Sequence, residues 1–328
     1  MKKLEIGLNH SAVITEDGRL FMFGNGNWGV LGQGNEQRAR HDQPVLVEKF
    51  TQLGLKVVDV ALGDCHTIAL TDDGSVWTWG YGGKKGMFNW MYSQDVGALG
   101  HGDKEPSFVP KKVSFFEENG IEVQQVEAGL FHCNVLTKDN KLYTWGRGLY
   151  GVLGNGSNDY SLTPILNESV EGVKEESDPA STILRMASVD ESSAVLMSNH
   201  QLNTWGKNDR GQLGVNPGIG IDMVESENMP TLVDLKDENE VPQSVKDFAI
   251  GQNTMLIRDH NDDLYQVGLR LHYEPKKLNF DEQVLDKSTV KMLACGRKHY
   301  IIVTESNDML IWGNVVNEKS STNSEGGL

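Results

Sequence analysis

Short runs of alternating apolar and polar residues are the dominant pattern along the chain. In residues 66–71, HTIALT, every second side chain is apolar, the period of a half-buried strand. An Asp-Gly pair follows, then a second run, VWTWG, ending on a large aromatic residue and a glycine. Such a sequence predicts an antiparallel hairpin. The same sentence occurs at residues 7–24, 63–80, 129–146, 251–268 and 296–313, opening and closing on glycine each time. A sixth copy, 188–206, opens on Ser188 and is one residue longer. The turn pairs are Asp17-Gly18, Asp73-Gly74, Asp139-Asn140, Asn199-His200, Asp262-Asp263 and Asn307-Asp308. These residue types tolerate positive φ, as the primed turns of two-residue hairpins require.

The second strand of each copy carries one large side chain before its glycine: Phe23, Trp79, Trp145, Trp205, Val267 and Trp312. A bulky residue recurring at one position fills the core of a radial array. A Gly-x-Leu-Gly segment then follows at Gly29, Gly97, Gly151 and Gly211. A proline comes after it, at Pro44, Pro110, Pro164 and Pro230. Proline suits an edge strand. Lead-ins such as VVDVALG and VQQVEAG supply one more strand. Four short strands per unit, with variation confined to the connecting loops, predict an all-β propeller of six recognisable blades. A seventh would have to come from sequence without the repeat. The fifth copy lacks the Gly-x-Leu-Gly segment.

Taken together, G-x-x-H, an apolar strand, Asp-Gly, Trp-Gly, Gly-x-Leu-Gly and proline resemble the regulator of chromosome condensation repeat. The resemblance runs from about Ile6 to Gly313. It implies a β-propeller, usually of seven blades, over residues 1–314, with the polar residues 315–328 as a flexible tail. The N-terminal hairpin is expected to complete a blade with the C-terminal segment and so seal the ring. The resemblance also implies a possible activity, that of the family's founding member: guanine-nucleotide exchange on a small GTPase.

Composition narrows the partners. Lys and Arg number 30 against 46 Asp and Glu, a net charge of −16. So acidic a surface disfavours broad contact with nucleic acid or an anionic membrane. Cys65, Cys133 and Cys295 form no C-x-x-C pair and read as buried reduced thiols. The start, MKKLEIGLNHS, enters the first repeat at once, which leaves no room for a signal peptide unless one has been removed. Cytoplasm or nucleus is the expected compartment, with relatives in mitochondrion and cilium leaving those open.

Motifs that suggest chemistry dissolve into the repeat. GNGNWG and GRGLYG match G-x-G-x-x-G, but VLG follows each instead of a helix, so neither reads as a nucleotide site. His10, His66, His132 and His299 stand one per unit, too dispersed to share a metal, and read as structural. Trp79, Trp145, Trp205 and Trp312 read as core. No catalytic constellation, metal or cofactor is expected. The acidic connectors 167–178 and 222–240 read as solvated, with a basic partner as the alternative.

The sharpest departure is the insertion 81–96, YGGKKGMFNWMYSQDV. Met87, Phe88, Trp90, Met91 and Tyr92 lie within six residues of one another, beside Lys84 and Lys85. Aromatic and methionine side chains concentrated on a loop mark a protein-binding surface. Self-capping of its blade and shallow membrane contact are the other readings. The expected function is therefore a non-enzymatic interaction module, a scaffold or accessory subunit of a larger complex. The alternative is an exchange factor using 81–96 as a wedge.

Overall fold

The structure is a computed structural model and describes residues 1–34, 40–83, 97–215, 225–280 and 285–313. Six antiparallel sheets surround one axis as a six-bladed propeller: blades 1 to 6 span residues 3–46, 57–112, 123–166, 183–232, 245–277 and 290–313. Blades 1 to 5 have four strands each, taken in chain order from the lead-in strand to the proline-bearing one. Blade 6 has three among the described residues. The fifth repeat, decayed as its sequence looks, still builds a full blade, with Pro275 in its last strand His272–Lys277.

The hairpins differ in one detail from expectation. The loop is three residues long: in blade 2 the Gly74 N–H donates to the Thr71 carbonyl at 2.9 Å, and the Thr71 N–H to the Ser75 carbonyl at 3.0 Å. Thr71 Oγ1 also donates to Asp73 Oδ1 at 2.6 Å. A type I turn followed by one left-handed residue needs positive φ at a single position. That position is Gly18, Gly74, Asn140, His200, Asp262 and Asn307. In blades 5 and 6 it therefore sits one residue earlier in the turn than the sequence pairs suggest.

The closing glycines have φ between 101° and 113° in all six blades, a region that only glycine occupies cheaply. Three short helices fill connections between blades: Glu48–Leu53, Ser114–Glu118 and Glu168–Ser177. The last of these gives the connector 167–178 a helical form, with Glu168, Glu175 and Glu176 exposed as the sequence reading expects and one side buried. Asn167 is its N-cap, accepting from the Val170 N–H at 3.0 Å, and Val170 is buried.

Neighbouring blades are latched by their tryptophans. The Trp79 indole N–H donates to the carbonyl of Val30, in the Gly-x-Leu-Gly segment of blade 1, at 2.6 Å. Trp145 donates likewise to Ala98 of blade 2 at 3.0 Å, and Trp205 to Val152 of blade 3 at 2.9 Å. All three rings are completely buried. The leucine carbonyl of the same segment is held by its own blade: Thr78 Oγ1 donates to Leu99 at 2.6 Å, and Thr204 Oγ1 to Leu213 at 2.8 Å. The segment 97–100 carries both bonds and is thereby pinned to two blades.

The expected closure of the ring takes a different form. Blade 1 is built entirely from residues 3–46, and blade 6 from 290–313, so the terminal segments flank the seam as separate sheets and share no blade among the described residues. In blades 2 to 5 the second strand is buried along its whole length. In blades 1 and 6 only alternate residues are buried. Trp312 and His299, in blade 6, are consequently only partly covered, unlike their counterparts.

Removing one indole donor while keeping an aromatic ring isolates the latch. W205F should cost about 1–2 kcal/mol in urea unfolding, because the Val152 carbonyl stays buried without its partner. W312F, whose N–H reaches the Gln266 side chain at 3.3 Å from a partly exposed site, should cost less than half as much.

Candidate interaction surface

Strand pairing decides which loops share a face. His66 pairs with Gly80, His132 with Gly146 and His299 with Gly313. The G-x-x-H turns and the segments after Trp-Gly therefore leave the same side of the ring, the described stem 81–83 of the insertion 81–96 among them. The Asp-Gly-type turns and the helix Glu48–Leu53 lie on the other side, as the Val57 N–H bond to the Gly18 carbonyl shows.

The G-x-x-H turns surround the axis. Gly7, Gly63, Gly129, Asp190, Gly251 and Gly296, one from each blade, line a central cavity of about 260 Å³. Glycine and histidine in this motif form a couple. A Cβ on Gly63 would run into the His66 ring, and one on Gly129 into the His132 ring. The ring lies over the glycine and reaches the next blade. His10 Nε2 is 3.1 Å from Thr67 Oγ1, His66 Nε2 is 3.2 Å from Cys133 Sγ, and His132 Nε2 is 2.9 Å from Ser193 Oγ. Blade 4 has lost both partners together: Ser192 stands at the histidine position, opposite Gly206, and Val189 rather than Ser188 at the glycine, so this copy has the same length as the others and not one residue more. Burial lowers these imidazole pKa values to about 3 for His10 and His132 and about 4 for His66.

The cavity wall is acidic. Asn9 Nδ2 donates to Asp64 Oδ1 at 2.7 Å. Burial raises the Glu127 pKa to about 8 against the pull of Lys3, with the Glu5 and Asp59 charges adding to the rise. Asp190 is raised to about 6 by burial and by the neighbouring Glu191 charge. Among the described residues no three His, Cys, Asp or Glu side chains converge as a metal site would require.

The residues predicted to bind a partner, Lys84, Lys85, Met87, Phe88, Trp90, Met91 and Tyr92, lie outside the described residues. Their platform is described. The Gly97 N–H donates to the Gly82 carbonyl at 3.2 Å, so the insertion leaves and rejoins the blade at one point. Tyr81 is buried there beside Cys65, Ala98 and Phe131, with its ring 5.1 Å from that of Trp28. Further along the same face, Arg147 lies over Phe131 at 5.6 Å and pairs with Glu191 at 3.2 Å. Lys207 pairs with the same carboxylate at 3.1 Å and lies over Tyr150 at 4.8 Å.

Trp28 and Tyr150 went unnoticed in the sequence because they sit inside GNGNWG and GRGLYG, patterns explained by their glycines. Both have positive φ, 68° and 61°, which bulky residues rarely adopt. The available signal was an aromatic residue directly before Gly29 and Gly151.

A family model described as RCC1-like domain matches residues 1–325. The chain belongs to the RCC1-like domain family. It is similar to the E3 ubiquitin-protein ligase HERC2 of Homo sapiens, with 35% identity over 209 residues, 62% of this chain and 4% of that protein. It is also similar to the ultraviolet-B receptor UVR8 of Arabidopsis thaliana, with 29% identity over 323 residues, 95% of this chain and 64% of that one. The chain thus spans less than two thirds of either relative. Among solved structures, Prp20p of Saccharomyces cerevisiae superposes with a TM-score of 0.73 at 20% identity, covering 95% of this chain and 71% of Prp20p. This last likeness is one of fold. No helix among the described residues is long and apolar enough to cross a membrane.

The buried histidines make stability fall in acid. Their folded pKa values lie below the unfolded value near 6.5, so between about pH 6.5 and 4 the unfolded chain binds more protons, and stability drops as pH falls. His132→Ser, the residue already present in blade 4, removes one such group. Between pH 7 and pH 5 the unmodified chain should lose about 2 kcal/mol more unfolding free energy than H132S. Equal losses would show that His132 is not held neutral.

Proposed function

We propose that this protein is a non-enzymatic interaction module, a rigid ring that binds protein partners through the face from which the insertion 81–96 springs. The observation that carries the reading is the pinched base of that insertion, Gly82 bonded to Gly97 over the buried Tyr81, beside the aromatic and charged strip from Trp28 to Tyr150. Five large apolar side chains mounted on such a base offer extensive contact area at modest ordering cost. Partner recognition of this kind needs no catalytic group. UVR8 is named as an ultraviolet-B receptor. Here Trp79, Trp145 and Trp205 are consumed as latches between blades, which supports a structural role for them.

The second reading is nucleotide exchange on a small GTPase. It draws on Prp20p, for which binding properties to Gsp1p and histones are described. An exchange factor acts by wedging a loop into its GTPase, and the same insertion would serve.

Replacing Phe88, Trp90 and Tyr92 together by serine should weaken partner capture by roughly tenfold or more, as loss of aromatic anchors does. An unchanged partner set with an intact fold would refute this use of the loop. Release of labelled GDP from a panel of small GTPases separates the two readings: acceleration abolished by the triple substitution would establish exchange, and none across the panel would leave a binding module.

A further inference from the structure

The innermost strands of the six blades set their side chains in layers around the axis. Two residues before each axial glycine, and before Val189 in blade 4, stand Glu5, Ala61, Glu127, Ala187, Ala249 and Ala294. Alanine therefore suffices for the fold at this level in four blades, and blades 1 and 3 carry a carboxylate instead. Two residues deeper the layer reads Lys3, Asp59, Gln125, Arg185, Asp247 and Met292. There charges are matched one for one: Lys3 Nζ donates to Asp59 Oδ1 at 2.7 Å, and Arg185 pairs with Asp247.

The glutamate layer has no such balance. Lys3 is already bonded to Asp59 and to the Val60 carbonyl at 2.9 Å, and stands 3.5 Å from Glu5. One ammonium thus faces three carboxylates, Glu5, Asp59 and Glu127. Glu127 accepts a hydrogen bond from the neutral Gln125 side chain at 3.2 Å. Both glutamates line the central cavity of about 260 Å³. That is room for roughly eight waters at ~30 Å³ each. Described residues of all six blades form its wall. The strands run towards the G-x-x-H face, so Glu5 and Glu127 lie at the inner end, and Ile6, Leu62, Leu130 and Val189 line the way out. At the mouth Asp64 and Asp190 outnumber Arg297.

One more acceptor in this wall lacks a donor. Cys133 Sγ donates to the Ala98 carbonyl at 3.5 Å, so His66 donates from Nε2 to the sulfur at 3.2 Å and keeps a lone pair on Nδ1. That atom is buried against Gly63, which lines the cavity, and has no hydrogen-bond partner. A buried acceptor without a donor is costly. Carboxylates kept where alanine suffices are costlier still, and in a cleft they mark a site.

We propose that the axial cavity binds a primary ammonium on a short alkyl stem, its head between Glu5 and Glu127 and its stem along Leu62 and Leu130. An ammonium brings three donors and one compact charge. Lys3 shows in the layer below how the same carboxylates receive one. The head group comes from a free polyamine or from a lysine of a protein partner, which share this chemistry. Burial raises the Glu127 pKa to about 8, with the Glu5 and Asp59 charges adding to the rise and Lys3 opposing it, so an arriving cation displaces a proton.

The test uses the full chain and n-butylammonium, followed by calorimetry. Saturable binding is expected, at least tenfold tighter than for n-butanol, which has the stem without the charge. E5A and E127A install the alanine of the other four blades, and E127Q keeps the shape without the charge. Each should weaken n-butylammonium by about tenfold or more, as loss of a charge-assisted bond does. The urea midpoint of E127A should equal or exceed that of the unmodified chain. Affinity should rise about tenfold from pH 6.5 to pH 8.5 as Glu127 ionises, and E127A should lose that dependence. Spermidine and the peptide acetyl-Gly-Lys-Gly-amide separate the two sources, and tighter binding of either supports the site. The assay needs neither the insertion nor a protein partner, so its outcome is independent of the insertion's role. Equal affinity for n-butylammonium and n-butanol would overturn the proposal. So would binding untouched by all three substitutions, or a lowered midpoint of E127A, which would make the carboxylate structural.

Discussion

The hydrogen bond from a buried indole to the carbonyl of the preceding blade's Gly-x-Leu-Gly segment is the constraint on which the ring depends. A propeller blade has two apolar faces and cannot be stable alone. Burying a neighbour against each face satisfies the hydrophobic requirement, but apolar packing alone does not fix how far one blade slides on the next. Trp79, Trp145 and Trp205 fix it by aiming one donor at one carbonyl of the preceding blade inside a dry interface, where a missed bond is expensive. The histidines do the same work nearer the axis, from His10 to Thr67, His66 to Cys133 and His132 to Ser193. The repeated motif is therefore a set of inter-blade joints, and its sequence signature is stringent because two surfaces must be satisfied at once.

That logic explains how much was legible beforehand. Strand, turn and closing glycine were readable because each obeys local chemistry, and the assignment to a propeller of four-stranded units follows from their recurrence. The turn type was misread, since Asp-Gly serves a two-residue primed hairpin and a three-residue loop alike, and only the Thr71 pairing distinguishes them. The helix Glu168–Ser177 was hidden by acidic composition, although its cap Asn167 and its buried Val170 were present in the letters. The coupling of glycine to histidine was visible as spacing, but not as the collision that a Cβ would cause. The expected partner loop remains defined by composition, with its base now built from Tyr81, Gly82 and Gly97.

Function resisted for a related reason. Nearly every residue that attracts attention in the sequence is consumed by the joints, leaving the variable segments as candidates. Trp28 and Tyr150 blur that division: they occupy repeat positions, yet their backbones are held in the left-handed region and their rings lie on the face that carries the insertion. A repeat can thus present a surface without departing from its own pattern, and comparing copies by identity alone passes over it.

The joints also have a direction and an end. Tryptophan in one blade grips the segment contributed by the blade before it, from blade 2 back to 1, 3 back to 2 and 4 back to 3. Blade 5 has Val267 at the gripping position and lacks a segment for blade 6 to hold, so blade 6 is joined instead by the Tyr300 hydroxyl donating to the Val267 carbonyl at 3.0 Å, by Thr254 Oγ1 donating to the Gly296 carbonyl at 2.9 Å and by Arg258 donating to the Val290 carbonyl at 2.7 Å. The joints therefore change in kind around the ring, from indole latches through blades 1 to 4 to hydroxyl and guanidinium bonds between blades 5 and 6.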